Sequence, residues 1–211
     1  MTQHRPVVTL GRAIAWCLFR GVFRTTVTGA ERVPAAGGLL IVANHLSFVD
    51  PPIIGGLTPR RVDFMAMTEL FRNPVSAALM RALGAFPVDR AKPDPRAVRE
   101  AVRRLRAGHC VGIFPEGGIR EGAQSVLGGE PVFRPGAGMI ALLGEVPILP
   151  VIVRHTRAPY RWQNWLRRAP MSVTFGAPFS LWVPGHVPLH QRRQLAREVL
   201  RSALLSTAKL P

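Results

Sequence analysis

Residues 38–52 read GLLIVANHLSFVDPP. The run 38–43 is apolar throughout and has the length of a buried strand. Asn44 and His45 end it, and Pro51 and Pro52 suit the first turn of a helix. The same order recurs on both sides of this stretch. Strand-like runs occupy 61–67, 110–114, 147–153 and 171–175, with a weaker one at 25–28. Helix-like runs occupy 51–57, 73–83, 95–107, 136–144 and 190–207. The helix at 95–107 carries its own punctuation, with Asp94 as cap, Pro95 in the first turn and Gly108 at the end. The alternation predicts an α/β fold, a single domain with a mostly parallel central sheet flanked by helices.

In such sheets ligands gather beyond the carboxyl ends of the strands. His45 and Asp50 follow the run 38–43, Asp89 and Arg90 follow GAFPV, and Glu116 follows CVGIF. These clusters are expected on one edge. A histidine is the usual general base near neutral pH, and a carboxylate on its far nitrogen sets the tautomer. Five residues along a helix would hold His45 and Asp50 apart, whereas a turn over 45–49 brings them together. Asp50 is then also expected to cap the helix at Pro51. No GxSxG elbow is present, and neither Cys17 nor Cys110 has a histidine of evident catalytic role. Ser47, in a turn, is expected to bond backbone. A histidine and carboxylate without a protein nucleophile predict that the substrate brings the nucleophile, a hydroxyl. Read alone, the pair also fits a strand-end histidine beside a helix cap.

The formal charge is +16, carried by 26 arginines and only two lysines, Lys92 and Lys209. Such an excess points to an anionic partner such as a phospholipid surface, nucleic acid or a phosphorylated substrate. Coding bias toward arginine produces the same count, yet the field is there whatever its origin. The two cysteines lack metal-ligand spacing, which favours a reducing compartment and predicts neither metal nor cofactor. No stretch of about 20 apolar residues exists to span a bilayer. The run 7–27 is broken by Arg12, Arg20 and Arg24, and so does not read as a signal peptide. With Leu10, Ile14, Trp16, Cys17 and Leu18 on a wide apolar arc, it predicts an amphipathic helix in a membrane interface. A helix packed on the domain is the plainer alternative. The segment 68–83, with Leu70, Phe71, Val75, Leu79 and Met80 beside Arg72 and Arg81, is expected to add a second contact. Residues 118–135 form a long Gly-rich stretch without periodicity, of a length often functional.

NHLSFVD resembles the NHxxxxD box of the glycerolipid acyltransferases, and most nearly of the PlsC-type 1-acylglycerol-3-phosphate (lysophosphatidic acid) acyltransferases. GAFPVDR (84–90), FPEGGIR (114–120) and VPILPV (146–151) resemble the family's later boxes, in the family's order. The resemblance covers roughly residues 25–180. It implies acyl transfer from acyl-CoA or acyl carrier protein to the free hydroxyl of a lysophospholipid, most nearly 1-acylglycerol-3-phosphate, giving phosphatidic acid. His45 would be the base and Asp50 its partner. Arg90, Glu116 and Gly117 would line the acceptor site, with Arg90 toward the phosphate, as a guanidinium suits. Glu116 is otherwise expected to order its loop by bonding backbone amides. The third box departs from the family's FPEGTR: Gly118 and Ile119 precede Arg120, which is displaced by one residue. Arg120 or Arg134 would take the remaining phosphate contact. VPILPV reads as a buried structural strand or as the wall of an acyl channel.

The resemblance divides the chain into a membrane-associating segment, 1–24, and an acyltransferase domain, 25–211. It implies an enzyme of phospholipid biosynthesis, peripheral or monotopic on the cytoplasmic face of the cell membrane. Lyso-ornithine lipid and other lysolipids are alternative acceptors. A basic membrane- or nucleic-acid-binding protein without catalysis rests on charge alone. No nucleic-acid motif is present and aromatic residues are sparse, so no nucleic acid is expected as partner.

Overall fold

A computed structural model describes residues 6–210, with side chains from Leu10 onward other than Arg12. Residues 1–5 and the Arg12 side chain, both part of the expected amphipathic segment, lie outside the described residues. The strands are β1 (Arg24–Thr28), β2 (Leu39–Ala43), β3 (Val62–Met67), β4 (Phe86–Val88), β5 (Cys110–Ile113), β6 (Ile148–Arg154) and β7 (Pro170–Phe175). They form one sheet in the order β1-β7-β6-β2-β5-β3-β4. Strands β6, β2, β5, β3 and β4 are mutually parallel. β7 is antiparallel to β6 and carries β1 parallel to itself. The expected α/β domain with a mostly parallel sheet is therefore present, with a reversed pair at one edge.

Alternation along β2 explains the two layers. Leu39, Ile41 and Ala43 enter one core, with residues of α1 (Pro6–Cys17) and α2 (Asp50–Leu57). Leu40 and Val42 enter the other, with α4 (Pro95–Arg106), α5 (Pro135–Gly144) and α7 (Leu189–Ala208). A sheet covered on both faces needs the continuous apolar runs that mark β2 and β6. α3 (Pro74–Ala82) is capped by Asn73, whose side chain accepts from the amides of Val75 and Ser76. Asp94 caps α4 as expected, accepting from Arg96 and Ala97, and Gly108 (φ 83°) ends it in the left-handed region.

The N-terminal segment is helical and continues from α1 into a π-helical turn, Leu18–Val22. Ala15, Phe19 and Phe23 are buried in the same core as α2. Contact with α2 is close enough that a Cβ on Gly56 would lie 2.6 Å from the Ala15 Cβ. Leu10, Ile14 and Trp16 remain exposed. The helix thus has one face in the domain and another apolar face outside it. No described helix is long and apolar enough to cross a membrane.

Candidate active site

The carboxyl ends of β2, β4 and β5 lie on one edge and deliver the three clusters read from the sequence. Asn44 ends β2 with its side chain spanning the strand gap. Its Nδ2 donates to the Val153 carbonyl (3.0 Å) and its Oδ1 accepts from the Val153 amide (2.8 Å). The chain leaves the sheet here, and His45 is anchored where it leaves. Asn44 is a positioning residue that residue-type reasoning passed over, although it stands beside the histidine.

Residues 45–49 turn as expected. His45 Nδ1 lies 2.7 Å from Asp50 Oδ2, and both side chains are buried. The same oxygen accepts from the amides of Leu46 (2.6 Å) and Ser47 (2.8 Å). The expected capping role of Asp50 is corrected here. α2 is capped at Val49 without any side-chain bond, and the Asp50 carboxylate faces back into the turn. The amides it would need as a cap lie ahead of it in the helix, and His45, Leu46 and Ser47 already engage it. It still sits in the first turn of α2, where the helix dipole favours a negative charge. A carboxylate on Nδ1 favours the tautomer that carries its proton there and leaves the Nε2 lone pair free. Ser47 Oγ bonds the Thr156 carbonyl (2.8 Å), which excludes it as a free nucleophile. Phe114 stacks on the imidazole, centroids 4.1 Å apart.

Glu116 is wholly buried. Its Oε2 accepts from the His45 amide (2.6 Å), and its Oε1 from the Val126 amide (2.7 Å) and Ser125 Oγ (3.1 Å). The carboxylate joins the turn at His45 to the Gly-rich stretch 118–135. Both of its oxygens are occupied, so it orders loops rather than lining an acceptor site. Burial pushes its carboxyl up to about 7, against those three bonds, and the nearby Asp50 adds to the rise. Gly117 (φ 69°) lies beneath Arg134, whose Cγ would stand 2.6 Å from an added Cβ. Glycine is required there for both reasons. Arg120 donates its amide to the His45 carbonyl (3.0 Å), and its buried Nε has no hydrogen-bond partner.

His45 opens on a cavity of about 620 Å³, within the range of small-molecule sites. Its lining is almost entirely apolar, drawn from α1, α2, β3 and α3. Arg90 stands at the wall with His45, and burial holds its guanidinium below the usual range, with Glu69 opposing that shift. Glu116, Gly117, Arg120 and Arg134 do not line the cavity, and neither does β6, so VPILPV is a buried structural strand rather than a channel wall. Among the described residues no cluster of three or more His, Cys, Asp or Glu could hold a metal ion.

The sequence model of the acyltransferase family matches residues 24–154, from β1 to the end of β6. The chain belongs to the acyltransferase family. It is 29% identical over 179 residues to the 1-acyl-sn-glycerol-3-phosphate acyltransferase of Bacillus subtilis (strain 168), covering 84% of this chain and 85% of the relative. It is 32% identical over 102 residues to the lyso-ornithine lipid O-acyltransferase of Pseudomonas aeruginosa PAO1, covering 47% of this chain and 37% of the relative. The crystal structure of PlsC, the 1-acyl-sn-glycerophosphate acyltransferase from Thermotoga maritima, shares the fold with a TM-score of 0.66 at 22% identity. That match covers 96% of this chain and 81% of the Thermotoga chain. The protein is thus an acyltransferase, and its matched region contains His45, Asp50, Arg90 and Glu116.

Proposed function

We propose that this acyltransferase moves a fatty acyl group from a thioester, acyl-CoA or acyl carrier protein, to the free hydroxyl of 1-acylglycerol-3-phosphate. One observation carries the reading: a carboxylate-held histidine opens on a long apolar cavity beside an arginine. His45 Nε2 takes the proton of the acceptor hydroxyl as its oxygen attacks the thioester carbonyl. Asp50 steadies the imidazolium that forms. As the tetrahedral intermediate collapses, the C–S bond breaks and His45 returns the proton to the leaving thiolate. The ester and a free thiol are the products. A positioned base contributes on the order of 10²–10⁴ in rate, and proximity of the two substrates contributes more.

The cavity follows β3 from Met67, beside the base, to Arg61 at the strand's other end. Six residue steps at strand rise are about 20 Å, and the apolar walls suit a hydrocarbon chain. Arg90 is the cation at the reacting end.

The similarity to a lyso-ornithine lipid O-acyltransferase and the displaced Arg120 favour one second reading, a different lysolipid acceptor on the same machinery. An acceptor panel with one radiolabelled acyl donor separates the two. Acylation of lysophosphatidate above other lysolipids supports the first, and preference for lyso-ornithine lipid replaces it. Loss of all transfer in His45→Ala is expected in either case, and retained transfer would remove the base from the scheme.

A further inference from the structure

We infer that the segment 157–168, between β6 and β7, is a second docking element that seats the protein on an anionic phospholipid surface. It is distinct from the N-terminal helix. The segment rises from the carboxyl end of β6, beside and parallel to β2, and so stands on the edge that carries His45. It comprises a short 3₁₀ turn, Ala158–Tyr160, and a one-turn helix, Gln163–Leu166.

Its polar groups are satisfied inward. Asn164 Nδ2 donates to the Ala158 carbonyl and Trp165 Nε1 to the Pro159 carbonyl, both at 3.0 Å. Arg168 donates to the Gly21 carbonyl (3.0 Å), and Trp165 meets Phe23 edge-on, centroids 5.2 Å apart. The Phe48 amide donates to Tyr160 Oη (2.8 Å), joining the segment to the base-bearing turn. The element is therefore built in place against the end of the N-terminal helix and the cavity mouth.

What it turns outward is apolar. Trp162 is 68% and Leu166 78% exposed, and Phe48, whose amide bonds Tyr160 of the segment, is 70% exposed. Nothing in the domain needs those side chains there, and large exposed apolar groups in one place mark an interaction surface. Arg161, Arg167 and Arg168 flank them in the chain, Arg157 is paired with Glu121, and no Asp or Glu occurs from Val146 to Arg197. Tryptophan and tyrosine with arginine are the residues that settle at the headgroup level. Each such cation near an anionic leaflet adds to the attraction. A shallow depression lined by His155, Arg157, Ala158, Arg161, Asn164, Ala169 and Pro170 lies at the base of the segment. An acidic protein would answer the arginines but would leave Trp162 and Leu166 without an apolar partner, so the bilayer is the better fit.

The test compares the full chain with Trp162→Ala/Leu166→Ala, two exposed positions whose loss leaves the core intact. Binding to phosphatidylglycerol–phosphatidylcholine vesicles is read by co-sedimentation, beside turnover on a short-chain, water-soluble lysophosphatidate. The double variant is expected to bind about tenfold more weakly, from the apolar area it no longer inserts, with turnover on the soluble acceptor retained. A protein with Trp162 as its sole tryptophan should show emission quenched by brominated lipids. Parental binding by the double variant, or unquenched Trp162 emission on bound vesicles, overturns the inference. So does unchanged vesicle binding with turnover lost only when acyl carrier protein is the donor, which would make the surface a protein dock. Absence of acyl transfer in the parent would refute the proposed reaction and leave the vesicle readout standing.

Discussion

Among the described residues two histidine–aspartate pairs stand at opposite ends of the parallel strands, and they are unlike. At the carboxyl end, His45 meets Asp50 at 2.7 Å, and among the described residues the other donors to that carboxylate are neutral, the Leu46 and Ser47 amides and the Ser47 hydroxyl. At the amino end, His109 Nδ1 meets Asp63 Oδ2 at 3.0 Å. There Arg61 Nε binds Oδ1 (2.9 Å) and Arg104 Nη1 binds Oδ2 (2.8 Å). Two guanidiniums already compensate Asp63, so it has little charge left to support an imidazolium. The His109 side chain is also 51% exposed and does not line the cavity at His45. A motif of the same two residue types is thus the proposed base in one setting and part of an ion network in the other. The difference lies in what else the carboxylate holds.

The widest separation of the pairs should come from the histidines. His45→Ala is expected to lower acyl transfer by at least 10²–10⁴-fold, with His109→Ala at the parental rate in the same assay. Equal losses would end the distinction. The aspartates should divide between rate and stability. Asp50→Asn removes the charge that holds the tautomer and is expected to cost on the order of 10²–10⁴ in turnover. Asp63→Asn leaves Arg61 and Arg104 without their shared partner, and about 3 kcal/mol should be lost in urea unfolding. Its turnover per folded molecule should stay near the parent's.

Glu116 sharpens the account of the carboxyl end. Its folded-state value stands at about 7 against an ordinary 4.5, so between those pH values the folded protein keeps a proton that the unfolded chain has lost. Its contribution to stability is therefore largest below pH 4.5 and is lost as pH rises to about 7, on the order of 3 kcal/mol in all. Unfolding of the parent and Glu116→Gln at about pH 5 and pH 8 should show that decline in the parent and a flatter profile in the variant. The smallest effect concerns the cavity that joins the two ends, from His45 to Arg61. Met80→Trp narrows it midway, and product mass spectrometry should show a shift toward shorter acyl chains with little change in rate on the shortest.

The turn at 45–50 was legible because five residues of chain leave few ways for a histidine and a carboxylate to meet before a proline-started helix. The direction of the Asp50 carboxylate was not, since both the turn and the helix offer amides and only the folded turn decides between them. Glu116 was legible as loop-ordering, but its donors at His45 and at Ser125–Val126 lie 71 and about ten residues away. The aromatic segment 157–168 has neither strand nor helix period, so no pattern set it apart from an ordinary connection.

By itself the sequence determined the strand–helix alternation, the edge on which polar residues collect, and the meeting of His45 with Asp50. These are local matters of period, capping and short-range reach. Tertiary structure alone decided that β1 and β7 run against the other five strands. It also decided that helices far apart in the chain wall one apolar cavity, and that a second His–Asp pair is neutralised by arginines. Those outcomes depend on which distant surfaces are buried together, and short-range sequence patterns do not specify that pairing.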